Sequence, residues 1–426
     1  MRSLIPFLLV FALTPPAVAG DCWPQFRGPT GDGHSDAAGL PLTWSETENI
    51  VWKTPIHGRG WSSPVVFGGR VWMTTATEDG HRMFVVCVDL ESGEVLHDRC
   101  VFTNPVIVQE IHSLNSYASP TPVLEESRAY VHFGVYGTAC LDAASGKTLW
   151  QRRDIHCDHF RGPGSSPILF DDLLIFPMDG IDVQYVIAVD KETGQTAWKT
   201  DRSLDLTAVD PDFRKAYSTP LVIDAAGRKQ LISTGAQGSY AYDPATGEEL
   251  WRVAVRGFSN VSRPLFDGKH VLVNSGFGRT QLWAVRPDGR GDVTDSHVAW
   301  TADKGLPIKP SPVLVDGLIY SASDRGIATC LDAATGELVW KERLPGQYSA
   351  SPIYADGRIY FFSHDDEATV IAPGRRMNVL AQNHLDAGCM ASPAVVGKAI
   401  ILRTKTHLYR IENSPQDGLP NPSRAK

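Results

Sequence analysis

The sequence predicts an all-β fold, an eight-bladed β-propeller of four-stranded antiparallel blades closed by an N-terminal strand. Three observations predict it. Four stretches repeat nearly the same eleven residues and each closes on a tryptophan: Cys140–Trp150, Ala188–Trp198, Ala241–Trp251 and Cys330–Trp340. A proline landmark, Ser-x-Pro or Ser-Pro, recurs eight times, at Pro64, Pro120, Pro167, Pro220, Pro264, Pro312, Pro352 and Pro393. Between landmarks the chain alternates short apolar runs with turn residues and shows no helical periodicity. Self-similarity at a period of roughly 40–50 residues marks a repeat architecture, and here it overrides the two or three domains that length alone would suggest.

Each repeat can be justified residue by residue. Apolar alternation runs into Asp142, Asp190, Asp243 or Asp332, and the Asp-x-x-Thr/Ser-Gly core that follows is turn chemistry. The carboxylate and hydroxyl accept backbone N–H groups, and glycine takes the positive φ of the reversal. A second strand leads to the tryptophan. The first position is always small (Ala188, Ala241, Cys140, Cys330, and Cys87 in the weaker copy Cys87–His97), which leaves room for an aromatic ring. Six of the eleven tryptophans end a repeat or its remnant: Trp52, Trp150, Trp198, Trp251, Trp300 and Trp340. They serve packing, as do Cys87, Cys140 and Cys330. Asp316-Gly317 and Asp356-Gly357 are two-residue hairpin turns between apolar runs.

Two units are degenerate. The fifth runs from Ala284-Val285-Arg286 into a Pro/Gly/Asp-rich insertion before Trp300, and the seventh keeps its strand at Val370–Gly374 but loses the Asp and Trp. The eighth stops at Leu408-Tyr409-Arg410-Ile411 without a fourth strand, while Asn49-Ile-Val-Trp52-Lys53 precedes the first landmark. The N-terminal strand therefore completes the last blade and removes the ring's open edge.

Residues 1–19 read as a secretory signal: Arg2, an apolar core over Leu4–Leu13, and Ala17-Val18-Ala19 as cleavage site. That core is too short to span a bilayer. Asp21 stands where a lipid-attachment box before Cys22 needs a small residue, so lipid anchoring is disfavoured. Residues 20–48 form an extension, 49–412 the propeller and 413–426 a polar tail. The expected location is periplasmic or extracellular. The formal charge of −8, with no basic cluster interleaved with aromatics, argues against nucleic acid. A monomer is expected. The pairing of Cys22, Cys100, Cys157 and Cys389 cannot be deduced from spacing.

The motif Ala-x-Asp-x-x-Thr-Gly-x-x-x-Trp in eight units resembles the tryptophan-docking repeat of the pyrroloquinoline-quinone (PQQ) propeller superfamily, over about residues 50–411. The opening Trp23-Pro-Gln-Phe26-Arg27-Gly28 also resembles the N-terminal signature of secreted PQQ-like propellers, where Trp23, Phe26 and Arg27 would pin the extension to the propeller. The superfamily includes quinoprotein dehydrogenases, which hold PQQ and Ca²⁺ in the central funnel, and non-catalytic scaffolds such as the propeller lipoprotein of the outer-membrane assembly machine. The resemblance implies the fold and does not choose between these functions.

The chain has no Cys-Cys pair, no Cys-x-x-Cys-His, no Gly-x-Ser-x-Gly and no phosphate loop. No catalytic residue is assigned. A ligand would sit where the innermost strands begin, and the residues three before each proline include Trp61, Tyr117, Tyr217 and Lys309, a rim suited to a flat or anionic ligand. The same aromatics would alternatively plug the axis. Glu110 and Asn115 are candidate oxygen ligands for Ca²⁺, and His156 and His159, flanking Cys157 and Asp158, are candidate transition-metal ligands. For each the competing reading is ordinary loop structure. The sequence thus favours an exported, non-catalytic binding or scaffold module for a protein or envelope partner, with no cofactor expected. The alternatives are a PQQ/Ca-dependent quinoprotein oxidoreductase and a polysaccharide-binding module.

Overall fold

The computed structural model describes residues 22–107 and 110–414. The signal segment 1–19 and all but the first two residues of the 413–426 tail lie outside the described residues. Eight blades of four antiparallel strands stand around a common axis, two of them joined by a short fifth strand, and all but the last run from the innermost strand outward in chain order. The first blade comprises Val65–Phe67, Arg70–Ala76, Arg82–Asp89 and Val95–Thr103. The last combines Ala394–Val396, Ala399–Arg403 and His407–Glu412 with Ile50–Pro55 as its outer strand, pairing Trp52 with Arg410 and Thr54 with Leu408. The ring is closed by the N-terminal strand, as the sequence predicts.

Burial follows this geometry. Middle strands are covered on both faces by neighbouring blades, so Arg70–Ala76 and Leu173–Asp179 are buried at every position after the first. Outer strands have a solvent edge and are mostly exposed, as in Thr148–Arg152 and Leu338–Arg343.

The repeat positions divide the packing work. The small first residue lies directly across the strand pair from the aromatic of its own blade: Ala188 opposite Trp198, Cys140 opposite Trp150, Cys330 opposite Trp340. The tryptophan then lies on the turn glycine of the next blade. A Cβ on Gly93, Gly194, Gly247 or Gly336 would fall 2.4–2.7 Å from the ring of Trp52, Trp150, Trp198 or Trp300 respectively. The indole N–H donates to a carbonyl of the same turn, as Trp150 Nε1 does to Lys191 O at 2.9 Å. In the weaker copy His97 takes the place of tryptophan on Gly146, with Nε2 3.1 Å from Ala144 O.

The degenerate fifth unit has no such turn to offer Trp251. Its insertion supplies a short strand, Gly291–Asp292, that runs parallel to Glu249–Ala254 and covers the edge, while Trp251 Nε1 donates to Gln230 Oε1 at 2.7 Å. No disulfide forms among the described residues; Cys157 and Cys389, left open by the sequence, are buried, and Cys100 is exposed.

The extension occupies the axis. Trp23 exchanges backbone hydrogen bonds with Val66 in the inner strand of blade 1, and Leu124 N–H of blade 2 donates to Pro24 O. The chain reverses around Arg27, which has a φ of 65°, and returns with His34 and Ser35 parallel to Tyr354 and Ala355 of blade 7. Arg263 of blade 5 donates to Phe26 O, and Arg27 to carbonyls of blades 6 and 7. Contact with the inner strands of five blades places this hairpin-shaped segment inside the channel. The sequence offered rim aromatics as the plug; the structure fills the axis with the extension instead. Trp44 then stacks against Tyr360 and Phe362, leading the chain out to the last blade.

Candidate functional site

A cavity of about 380 Å³ opens on the face where the innermost strands begin, and Phe26 of the plug forms part of its floor. The remaining floor is a ring of hydroxyls from the residue just before each proline. Ser63 N–H donates to Thr121 Oγ1, Thr121 N–H to Ser166 Oγ, and Ser166 N–H to Thr219 Oγ1, at 2.9–3.0 Å. On the other side Arg263 N–H donates to Ser311 Oγ, Ser311 N–H to Ser351 Oγ, and Ser351 N–H to Ser392 Oγ, all at 2.9 Å. Ser392 N–H closes the circle on Ser63 Oγ at 3.1 Å. The link from Thr219 is missing because the fifth blade carries Arg263 instead of a hydroxyl.

This ladder corrects the register of the second blade. Thr121 is the ring residue, so the landmark is Pro122 and not Pro120, and the rim position falls to Ser119. Tyr117, expected on the rim, is instead buried against Gly80 and edge-on to Tyr136 at 5.6 Å, in the core between blades 1 and 2. The Pro-Thr-Pro doublet misplaced it by two residues, and a glycine without a side chain gives it a slot. Trp61, Tyr217 and Lys309 do line the cavity. Tyr217 Oη donates to His159 O at 3.0 Å.

Three cations stand around the mouth. Lys215 pairs with Asp212, and its ammonium lies over the rings of Phe160 and Phe258 at 5.0 and 5.6 Å. Lys309 pairs with Asp324, whose other oxygen accepts Ile308 N–H. Arg161 stacks over Phe160 at 4.3 Å and makes no ion pair among the described residues. Beneath the floor lie two fully buried guanidiniums. Arg27 donates to Asp32 O, Pro312 O, Pro352 O and Ser311 O; Arg263 donates to Pro220 O and Phe26 O. Burial pulls Arg27 down to about 10 against the opposing pull of Asp32. Burial, and then repulsion by Arg27, pulls Arg263 down to about 9.

The metal candidates do not converge. Asn115 is used up by its loop: Nδ2 donates to Arg161 O and Pro163 O, and Oδ1 accepts Ser116 N–H and Ser119 Oγ–H. Glu110 is exposed and does not line the cavity. His156 is exposed and pairs with Asp182 at 2.8 Å. His159 is buried, with Nδ1 3.5 Å from Cys157 Sγ, and desolvation holds its pKa at about 4, so it is neutral near pH 7. Among the described residues no group of three or more His, Cys, Asp or Glu is placed to hold a metal. The donor set is also wrong for PQQ with Ca²⁺. A calcium ion takes six to eight oxygens, and the one carboxylate lining the funnel, Asp212, is held by Lys215.

The sequence reading missed the hydroxyl ring and Arg263 beneath it, whereas Arg27 pins the extension to blades 6 and 7, as the N-terminal signature implied. The ring had a signal, Ser or Thr before nearly every landmark proline, and Arg263 is its visible exception.

No helix among the described residues is long and apolar enough to cross a membrane. The curated relatives include the outer membrane protein assembly factor BamB of Yersinia pestis, 21% identical over 202 residues, 44% of this chain and 49% of that protein. They also include the quinoprotein ethanol dehydrogenase of Pseudomonas aeruginosa, 29% identical over 202 residues, 43% of this chain and 30% of that protein. The chain thus spans half or less of the length of either. Among solved structures, BamB from Moraxella catarrhalis superposes with a TM-score of 0.60 at 14% identity, over 85% of this chain and 99% of that one. The quinohemoprotein alcohol dehydrogenase of Comamonas testosteroni gives 0.67 at 11% identity, over 95% and 82%. At these identities both show the fold alone. The family model described as "Outer membrane protein assembly factor BamB" matches residues 43–200, 183–310 and 292–412, and the chain belongs to that family of PQQ-like β-propellers.

Proposed function

We propose that this propeller is an exported, non-catalytic binding module, and that a protein or other envelope component docks at the mouth of its funnel. The observation that carries this reading is the composition of the mouth. Leu114 and Phe277, each 42% exposed, line it together with Arg161, and Phe213 packs on the lining Phe258, while the funnel holds one carboxylate and that one is paired. Exposed aromatic and aliphatic groups next to an arginine are what interface anchors are made of. A Ca²⁺ site, or acid–base chemistry run by carboxylates, needs carboxylates that are free to act. Relatives named as an assembly factor support a scaffold role, and relatives named as quinoprotein dehydrogenases keep the oxidoreductase as the competing reading.

A photo-cross-linking residue at Leu114 or Phe277, tested in envelope extract of the source organism, should capture a discrete macromolecular partner. The same group at Leu338, on an outer strand, should not. Adducts confined to Leu338 would overturn the placement. Saturable binding of PQQ and Ca²⁺ with dye-linked oxidation of ethanol or glucose would overturn the non-catalytic reading.

A further inference from the structure

The ring hydroxyls have a property that their structural role does not use. Each of the seven accepts an amide N–H from the preceding blade, which occupies one lone pair of its oxygen. A hydroxyl also has a proton to donate, and none of the seven donates to a protein acceptor among the described residues. All seven residues are at least 95% buried, and all seven line the base of the same cavity. A buried donor without an acceptor costs free energy, and here that cost is repeated around a circle.

Charge selects the ligand. Of the five cations named around this cavity, Lys215, Lys309 and Arg27 each have an acid nearby, in Asp212, Asp324 and Asp32. Arg161 makes no ion pair among the described residues, and Arg263 shares the single carboxylate of Asp32 with Arg27. A cation would meet a positive field and hydroxyls whose lone pairs are partly spent. A neutral sugar presents as many donors as acceptors, and the ring offers chiefly donors. An oxyanion meets both the protons and the charge, in a site where little water competes.

We propose that the hydroxyl ring at the base of the funnel is an oxyanion-binding site, taking the carboxylate or phosphoryl head of a small ligand whose body lies between Trp61 and Tyr217. The ring supplies short donors and Arg161 supplies unpaired charge at the mouth. The plug makes the site blind, so the head group enters from the mouth alone. This inference goes beyond the macromolecular docking proposed above and stands or falls separately from it, because it is read with small ions.

Isothermal titration of the folded protein with inorganic phosphate, sulfate and acetate, in a non-coordinating buffer at low salt, provides the test. Saturable binding of phosphate or acetate is expected, with methylammonium and glucose giving none; the better of the two anions identifies the head group. T121V together with T219V keeps side-chain shape, removes two donors and should weaken binding about tenfold or more. T121S should retain it. Absence of saturable anion binding, or unchanged affinity in the folded valine variant, overturns the proposal. If the valine variant does not fold, crystals of the unmodified protein soaked in selenate decide. Anomalous density within hydrogen-bonding distance of the ring supports the site, and density only elsewhere, or none, overturns it.

Discussion

Gly194 and Gly227 form a matched pair that isolates what tryptophan docking contributes. Both have a φ of +73°, so alanine at either carries the same left-handed backbone penalty of about 1–2 kcal/mol. Both also gain equally from a stiffer unfolded chain. They differ in surroundings. A Cβ at Gly227 meets nothing within 4 Å, whereas at Gly194 it falls 2.7 Å from Trp150 Cε3 and 2.8 Å from Cδ2. The indole must move, which costs about 1–3 kcal/mol for overpacking, and its Nε1 bond to Lys191 O at 2.9 Å is stretched or lost, about 1 kcal/mol more. Gly194→Ala should therefore be roughly 2–4 kcal/mol more destabilising than Gly227→Ala. Denaturant midpoints at constant slope are the measurement. In a Trp150→Ala background the excess should vanish, giving a coupling energy of the same size. Equal costs at the two glycines, within about 0.5 kcal/mol, would refute the docking role assigned to the repeat.

Two further outcomes follow from the interior. Arg27→Met leaves the carbonyls of Asp32, Pro312 and Pro352 without their donor at the axis, and should lower stability by about 3 kcal/mol in the same denaturant assay; a loss below about 1 kcal/mol would mean the plug is not needed to hold the ring. Burial lowers His132 and His159 to about 3 and about 4 from an ordinary 6.5, so between those values and 6.5 the unfolded chain binds more protons than the folded one. Stability should fall as pH drops from 6.5 to 5, before the depressed carboxylates begin to titrate, and His132→Phe, whose ring would pack on Phe176, should flatten that slope.

The blades were legible because their determinants are local and repeated. Gly146, Gly194, Gly247 and Gly336 each stand four residues before a tryptophan, so every such copy announces both the turn and the ring that will dock on a neighbour. The path of the extension was not legible. Arg27 is joined to Pro312 and Pro352 across 285 and 325 residues, through backbone carbonyls that any sequence would present. Nothing in a composition or a period reports such a contact. Tyr117 failed for a different reason: two prolines flank Thr121, and only the hydroxyl ladder tells which one starts the strand. The ring hydroxyls are in view as part of the proline landmark, which by itself only counts the units, because their convergence exists only once the circle is closed.

Arg263 ties these observations together. Seven blades place Ser or Thr before the landmark proline, and blade 5 gives up that hydroxyl and with it one link of the ladder. In return its guanidinium reaches Phe26 O at 2.6 Å, at the turn of the plug. The plug answers with Gly31, where a Cβ would lie 2.4 Å from Arg263 Nη1. Neither residue makes sense alone. A glycine there is needed because the arginine fills the space, and the arginine is tolerated because the plug supplies a carbonyl to its guanidinium. An eight-bladed ring built with uniform hydroxyls would keep its symmetry and an open channel. Breaking it at one blade fixes the plug in a single rotational setting, and a channel open at both faces becomes a funnel that can be entered from one.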